Sequence, residues 1–138
     1  MAINLDSYLG VHASALKLRE QRTELLARNL ANADTPGFKA RDLDFSAALA
    51  NAEGKPAAGT LRATQPGHIG TTAAGGLEPG STEAFLKYRT PLAPSLDGNT
   101  VDAQLEQAAF ADNAVRYQAT LTFLSGKFKS LMTAITGQ

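Results

Sequence analysis

Apolar residues recur at helical spacing along both ends of the chain. From Ala103, the positions Gln107, Phe110, Ala114, Tyr117, Leu121, Leu124, Phe128, Leu131 and Ile135 follow alternating steps of four and three without a break. That two-in-seven stripe is a coiled-coil seam, and it predicts one helix within residues 100–138, about 50 Å long at about 1.5 Å per residue. Asn99 or Thr100 stands where an N-cap is needed, and Asp102 where a capping box places its acid. Asp102, Glu106 and Asp112 come early, while Arg116, Lys127 and Lys129 come late, the order the helix dipole favours.

The N-terminal part repeats the pattern less purely. Leu5, Leu9, His12, Leu16, Arg19, Thr23, Leu26, Leu30 and Ala33 keep the alternation, and Val11, Leu18 and Leu25 add a second apolar strip beside it. This predicts a helix over residues 1–33 with one seam for the C-terminal helix and another for a different neighbour. His12 reads as a half-buried structural histidine on that seam, and Arg19, Glu20, Arg22 and Glu24 as a solvated or interhelical ion-pair face.

Residues 34–99 differ from both ends. Positions 46–100 contain eight Gly, five Pro and ten Ser or Thr, too many breakers and small polar residues for a long helix. Glu83 to Thr90 alternates in part before Pro91 and Pro94, which predicts a short strand running into a Pro-rich linker. The expected fold class is therefore mainly α: long N- and C-terminal helices forming one domain, joined by an irregular Gly/Pro-rich middle segment with at most short strands. Two helices of this length leave much of each apolar stripe uncovered, so the pattern asks for partners, either a homo-oligomer or a larger assembly of similar hairpins.

Composition narrows the chemistry. Thirteen Lys and Arg balance thirteen Asp and Glu, which removes the basic footprint of a nucleic-acid binder or a membrane-surface protein. With no Cys there is no disulfide scaffold, thiolate zinc site or Cys nucleophile. His12 and His68 are far apart and lack any metal-binding motif, and His68 sits in a Pro-Gly loop with nothing beside it to orient a base. Carboxylate pairs such as Asp42 with Asp44 and Asp97 with Asp102 fall at turns and caps rather than in a cleft, against a hydrolase. No catalytic residue, metal, cofactor, small-molecule substrate or nucleic acid is expected. The first residues show no cleavable secretory signal, and the charge-free run Tyr117–Gly126 is half of what a membrane span needs.

The most specific stretch is Asn29-Leu-Ala-Asn32-Ala-Asp34-Thr35-Pro36-Gly37-Phe38. Pro36 stops the helix and holds Thr35 extended, Pro36-Gly37 suits the centre of a type II turn, and Phe38 follows as an anchor. After the turn, Phe45-Ser-Ala-Ala-Leu49 puts two apolar side chains on one face of a short helix, with Asp44 as N-cap.

The Asn-x-x-Asn-x-Asp-Thr-Pro-Gly-Phe run resembles the signature of flagellar basal-body rod proteins and related axial subunits. Leu18-Arg19-x-x-Arg22, Ala40-Arg41-Asp42-Leu43-Asp44-Phe45, Pro94-Ser-Leu-Asp-Gly-Asn-Thr-Val-Asp102 and Ala111-Asp-Asn-Ala-Val-Arg-Tyr-Gln118 bring the resemblance closest to the family's B-type, proximal-rod members. It covers about residues 5–49 and 88–135, and Phe38 stands where Tyr is common. The resemblance implies an antiparallel coiled coil of the terminal helices, packing radially with neighbours and largely disordered in the free monomer. It implies a structural, non-enzymatic role in the basal-body rod across the periplasm, with a C-type rod protein or a free-standing coiled-coil adaptor as alternatives. Implied partners are other rod subunits, the adaptor between rod, MS ring and export gate, further copies of the chain, and the type III export apparatus that secretes such subunits without a cleavable signal. Leu9, Leu16, Leu26, Leu30, Tyr117, Leu121, Leu124, Phe128, Leu131 and Ile135 are the expected packing residues. Asn29, Asn32, Asp34, Thr35, Pro36, Gly37 and Phe38 are the expected family turn. Export substrates of this kind carry a Phe-x-x-x-apolar recognition element, for which Phe45 and Leu49 are the candidates.

Overall fold

The computed structural model describes residues 5–53, 83–91, 93 and 95–137, with side chains from residue 9 onward. His68, Pro94 and the Leu5 seam position's side chain lie outside the described residues. Helix α1 spans Leu5–Ala31 and α3 spans Ala103–Thr136, with β1 at Arg41–Leu43, α2 at Phe45–Ala52, a 3₁₀ turn at Glu83–Phe85 and β2 at Leu86–Tyr88 between them. The mainly helical class holds, with two long terminal helices and short strands in the middle. They run antiparallel: Glu106 near the start of α3 meets Asn29 near the end of α1, and Asn113, two turns on, meets Thr23.

The chain between the helices is short-range and hydrogen-bonded. β1 pairs with β2 in antiparallel register, Asp42 opposite Lys87, and the ladder is extended by Asp44 N–H to the Phe85 carbonyl and Arg89 N–H to the Ala40 carbonyl. The predicted strand is thus present, but its first half coils into the 3₁₀ turn, and its partner β1 carried no alternation to reveal it. Asp44 caps α2 through the Ala47 N–H, as its position before the Phe45 helix implies.

The apolar core is small and lies to one side of α1. Leu18, Leu43 and Ala48 are buried together, with Leu25, Phe45, Leu49, Phe85 and Leu86 packed around them. Leu18 and Leu25 belong to the second strip of α1, so that strip faces α2 and the strand pair, leaving the main seam for α3.

The start of α3 differs from expectation. Asp102 itself is the N-cap, accepting from Gln104 and Leu105 N–H. Asn99 and Thr100 are already committed elsewhere: Asn99 donates to the Asn32 and Ala33 carbonyls, and the Thr100 hydroxyl accepts from Ala40 N–H. Gly137, at φ +73, closes α3 in the left-handed conformation that favours glycine.

Removing the Asp102 carboxylate strips the first turn of α3 of its acceptor. Asp102→Ala is expected to cost about 1 kcal/mol locally, read as roughly fivefold faster amide exchange in residues 103–106 with little change in α1.

Candidate functional site

Two constellations stand out, a clasp at one end of the helix pair and an uncovered apolar surface along α3. The clasp is made of the two stretches singled out in the sequence. Thr35-Pro36-Gly37-Phe38 forms the expected turn, with Phe38 N–H on the Thr35 carbonyl at 3.3 Å and Gly37 at φ +73. Against it lies a second tight turn, Ser95 to Gly98, in which Gly98 N–H reaches the Ser95 carbonyl. Gly37 N–H donates to the Asp97 carbonyl at 2.9 Å, Thr100 N–H to the Phe38 carbonyl at 3.0 Å, and Lys39 Nζ to the Gly98 carbonyl at 2.6 Å. Gly98 is at φ +72, and a Cβ there would lie 3.8 Å from the Gly37 Cα, so the left-handed backbone is what selects glycine at 98.

Asn99 is the hinge pin of this joint. It is buried, and its amide donates to the Asn32 and Ala33 carbonyls at 3.0 and 2.6 Å. Those carbonyls follow the last turn of α1, so a residue 66 positions away satisfies acceptors the ending helix leaves open. Asn99 Oδ1 accepts from Val101 N–H, Asp97 Oδ1 accepts from Asn99 N–H, and the Ser95 hydroxyl donates to the Asn99 carbonyl. The hydrogen bond from Asn99 N–H is the main cause that holds the Asp97 carboxyl below its ordinary range.

Behind the clasp is a charged node. Arg22 grips Asp42 through two parallel bonds of 2.9 Å, and Arg89 reaches Asp42 and Glu106 at 2.6 Å each. Glu106 is only 1% exposed, and its other oxygen accepts from the Asn29 amide at 3.2 Å. Asn29 in turn bonds both the N–H and the carbonyl of Arg41, covering the open edge of β1. Asn29, assigned to the turn by the motif, thus works from within α1, where its carboxamide imitates a neighbouring strand. Burial pushes Asp42 up, but hydrogen bonds from Arg22 and Arg89 outweigh it and hold the carboxyl below its ordinary range. Asp42 in return raises Arg22. The Asp44 carboxyl is held at about 2 by Lys87, with Ala47 N–H and the Ser46 hydroxyl adding to it.

Reading Arg19 and Arg22 as an ordinary charged face is corrected here. Arg22 belongs to the node, and Arg19 lies over the Phe45 ring at 4.5 Å, so both are drawn onto the middle segment that α1 carries.

The second constellation concerns α3. Its buried residues toward α1 are polar: Glu106, Asn113 and Thr120, one every seven positions. Asn113, 1% exposed, donates to the Arg19 carbonyl and the Thr23 hydroxyl at 2.9 Å each. The expected apolar seam lies beside this row. Tyr117, Leu121, Leu124 and Leu131 are half-buried, whereas Phe128 and Ile135 are exposed. The facing line is thus rotated by about one residue from the apolar stripe, because two helices alone cannot enclose it. Phe110, Val115, Phe123, Phe128, Met132 and Ile135 face outward. On α1, Leu26 is buried and Leu9, Leu16 and Leu30 are half-buried. Phe45 and Leu49 both turn toward the small core.

The turn, the helix spacing and the outward apolar row had signals in the sequence. The node had none local enough to read, since Arg22, Asp42, Arg89 and Glu106 are scattered along the chain. The seven-residue recurrence of Glu106, Asn113 and Thr120 was the available clue to the facing line. Among the described residues, no group of His, Asp or Glu is placed to hold a metal, and no helix is long and apolar enough to cross a membrane.

The chain is similar in sequence to known proteins. The family model described as "Flagella basal body rod protein" matches residues 9–39, from the second turn of α1 through the Pro36-Gly37 turn. Flagellar basal body rod protein FlgB of Cereibacter sphaeroides is 53% identical over 130 residues, 94% of each chain. That of Escherichia coli K12 is 45% identical over 98% of this chain and 97% of its own, and that of Salmonella typhimurium 43% over 99% of both.

Two outcomes test the node. Glu106→Ala removes one acceptor from half-buried Arg89 and from buried Asn29 and is expected to cost about 3 kcal/mol in urea unfolding followed by circular dichroism, with Glu106→Gln losing less. The lowered Asp42 and Asp44 carboxyls contribute stability that is complete above their unfolded value of 3.8 and is lost as pH falls toward the folded value of about 2 for Asp44. Helix content should hold from neutral pH to about pH 4 and then decline, with Asp44→Asn flattening the lowest part of the curve.

Proposed function

The chain belongs to the flagellar basal-body rod protein family, in its FlgB branch, and we propose that its place is the proximal part of the rod, where it is a structural subunit bonded to further copies and to other axial subunits. Membership sets the location as the flagellar basal body and the role as structural. The observation that carries the finer reading is the inversion of α3. A helix of 34 residues turns its buried polar row toward α1 and its phenylalanines toward solvent. Uncovered apolar surface of this extent is stabilised by neighbours, and side-by-side packing of such hairpins buries it.

The packing residues of the outward rows are Phe128 and Ile135 with the half-buried Tyr117, Leu121, Leu124 and Leu131, while Leu9, Leu16, Leu26 and Leu30 line α1. The clasp built on Asn32 to Phe38 keeps the helices at a fixed angle to the middle segment, so that each added subunit presents the same surface to the next. The partners of this surface are other rod subunits and the adaptor that joins the rod to the MS ring and export gate. Secretion by the flagellar type III apparatus precedes folding in this reading. Phe45 and Leu49 then meet the export machinery on the unfolded chain and later turn into the core around Leu18, where they are half-buried. High identity to B-type relatives over nearly the full chain disfavours the C-type alternative.

The test is complementation. In a strain lacking its own B-type rod protein, the chain is expected to restore motility and to co-purify with basal bodies. Phe128→Asp combined with Ile135→Asp should remove it from basal bodies while it is still secreted, whereas normal incorporation of that variant would refute the packing role of the outward face.

A further inference from the structure

The clasp presents one residue that nothing in the fold uses. Leu96 is fully exposed, at the tip of a turn fixed by Gly98 N–H on Ser95, by Gly37 N–H on Asp97 and by Asn99 N–H on the Asp97 carboxylate. A lone exposed leucine is ordinary on a mobile loop, but here the backbone that carries it is hydrogen-bonded on both sides. Holding a large apolar side chain rigidly in water gives the folded chain nothing. It does pre-organise a contact.

A matching recess lies elsewhere on the same chain. Between α1 and the strand pair is a cleft of about 230 Å³ lined by Leu25 and Leu86, with Gln21, Glu24 and Arg28 around them. Gln21 Oε1 itself is buried and has no hydrogen-bond partner among the described residues. The cleft therefore offers an apolar floor with one acidic and one basic residue at its rim. The Leu96 turn offers an apolar side chain with acidic Asp97 and basic Lys39 beside it.

We propose that Leu96 of one copy docks into the Leu25–Leu86 cleft of the next copy. The proposal rests on the rod-subunit reading above and specifies one of its contacts. The turn is tied to the Gly37 turn of its own chain, so it faces outward and meets the cleft of another molecule. Knob and recess are different surfaces of the same chain, so each bound copy leaves a free knob at one side and a free recess at the other. Such a heterologous contact propagates instead of closing on itself, as a growing rod requires.

The chain has no cysteine, so introduced thiols report cleanly. The exposed positions Leu96→Cys and Arg28→Cys, combined in one chain and expressed in the complemented strain, are expected to give disulfide-linked dimers and larger species from oxidised basal bodies, and neither single variant should do so. Separately, Leu96→Asp should reduce the swimming-halo diameter at least twofold and lower the amount of the chain in basal bodies, with secretion and the circular dichroism spectrum unchanged. Absence of cross-linked species from basal bodies containing the double variant, linkage of Leu96→Cys to itself, or wild-type motility of Leu96→Asp would each overturn the docking contact. Failure of the unaltered chain to restore rods would instead overturn the rod-subunit reading.

Discussion

A carboxylate with almost no contact with water organises this molecule. Glu106 sits at 1% exposure at the start of α3, and a buried charge of that kind persists only when its partners are in place. Those partners come from separate parts of the chain: Arg89 from the end of β2, and Asn29 from the last turn of α1. Arg89 brings Asp42 with it, Asp42 brings Arg22, and Asn29 brings the edge of β1. The charges cancel within the node, two guanidinium groups against two carboxylates. Each element that enters it is fixed in both position and rotation. The apolar cluster around Leu18, Leu43 and Ala48 is small, so the node and the neighbouring Asn99 clasp decide how the helices meet.

The same arrangement explains why the two helices form an incomplete unit. Polar groups at Glu106, Asn113 and Thr120 make the contact between α1 and α3 specific in register without burying much apolar area. The phenylalanines of α3 are left outside, along a helix longer than α1, whose described start falls opposite the Leu131 turn if the Asn29–Glu106 register is carried along the pair. Polar groups set the geometry between α1 and α3, and the outward apolar groups are left free for the association between chains proposed above. For a rod subunit this division keeps the shape of each unit independent of the attraction that joins it to the next.

Much of this was legible in the sequence and some was not, for physical reasons. Helix periodicity is a local signal, and both long helices follow from it, as do the Pro36-Gly37 turn and the Asp44 cap. Strand β1 has only three residues and is created by its surroundings, the Asn29 carboxamide on one side and β2 on the other. The apolar stripe of α3 was visible, but periodicity alone does not say whether a stripe faces its own chain or another. Here the line toward α1 is the polar one beside it. Asn99 looked like a helix cap and is one, although it caps the end of α1 rather than the start of α3. Contacts between residues 60 or more positions apart leave no spacing pattern to read.

If the clasp and node hold the free chain together at one end, the far half of α3 depends on neighbours. Amide hydrogen exchange of the purified protein tests this most directly. Protection is expected to concentrate in residues 22–44, 86–89 and 95–113, with rapid exchange in α3 beyond Thr120 that slows once the chain is assembled into rods. Protection in free protein that is uniform along α3, or strongest near Phe128 and Ile135, would contradict it.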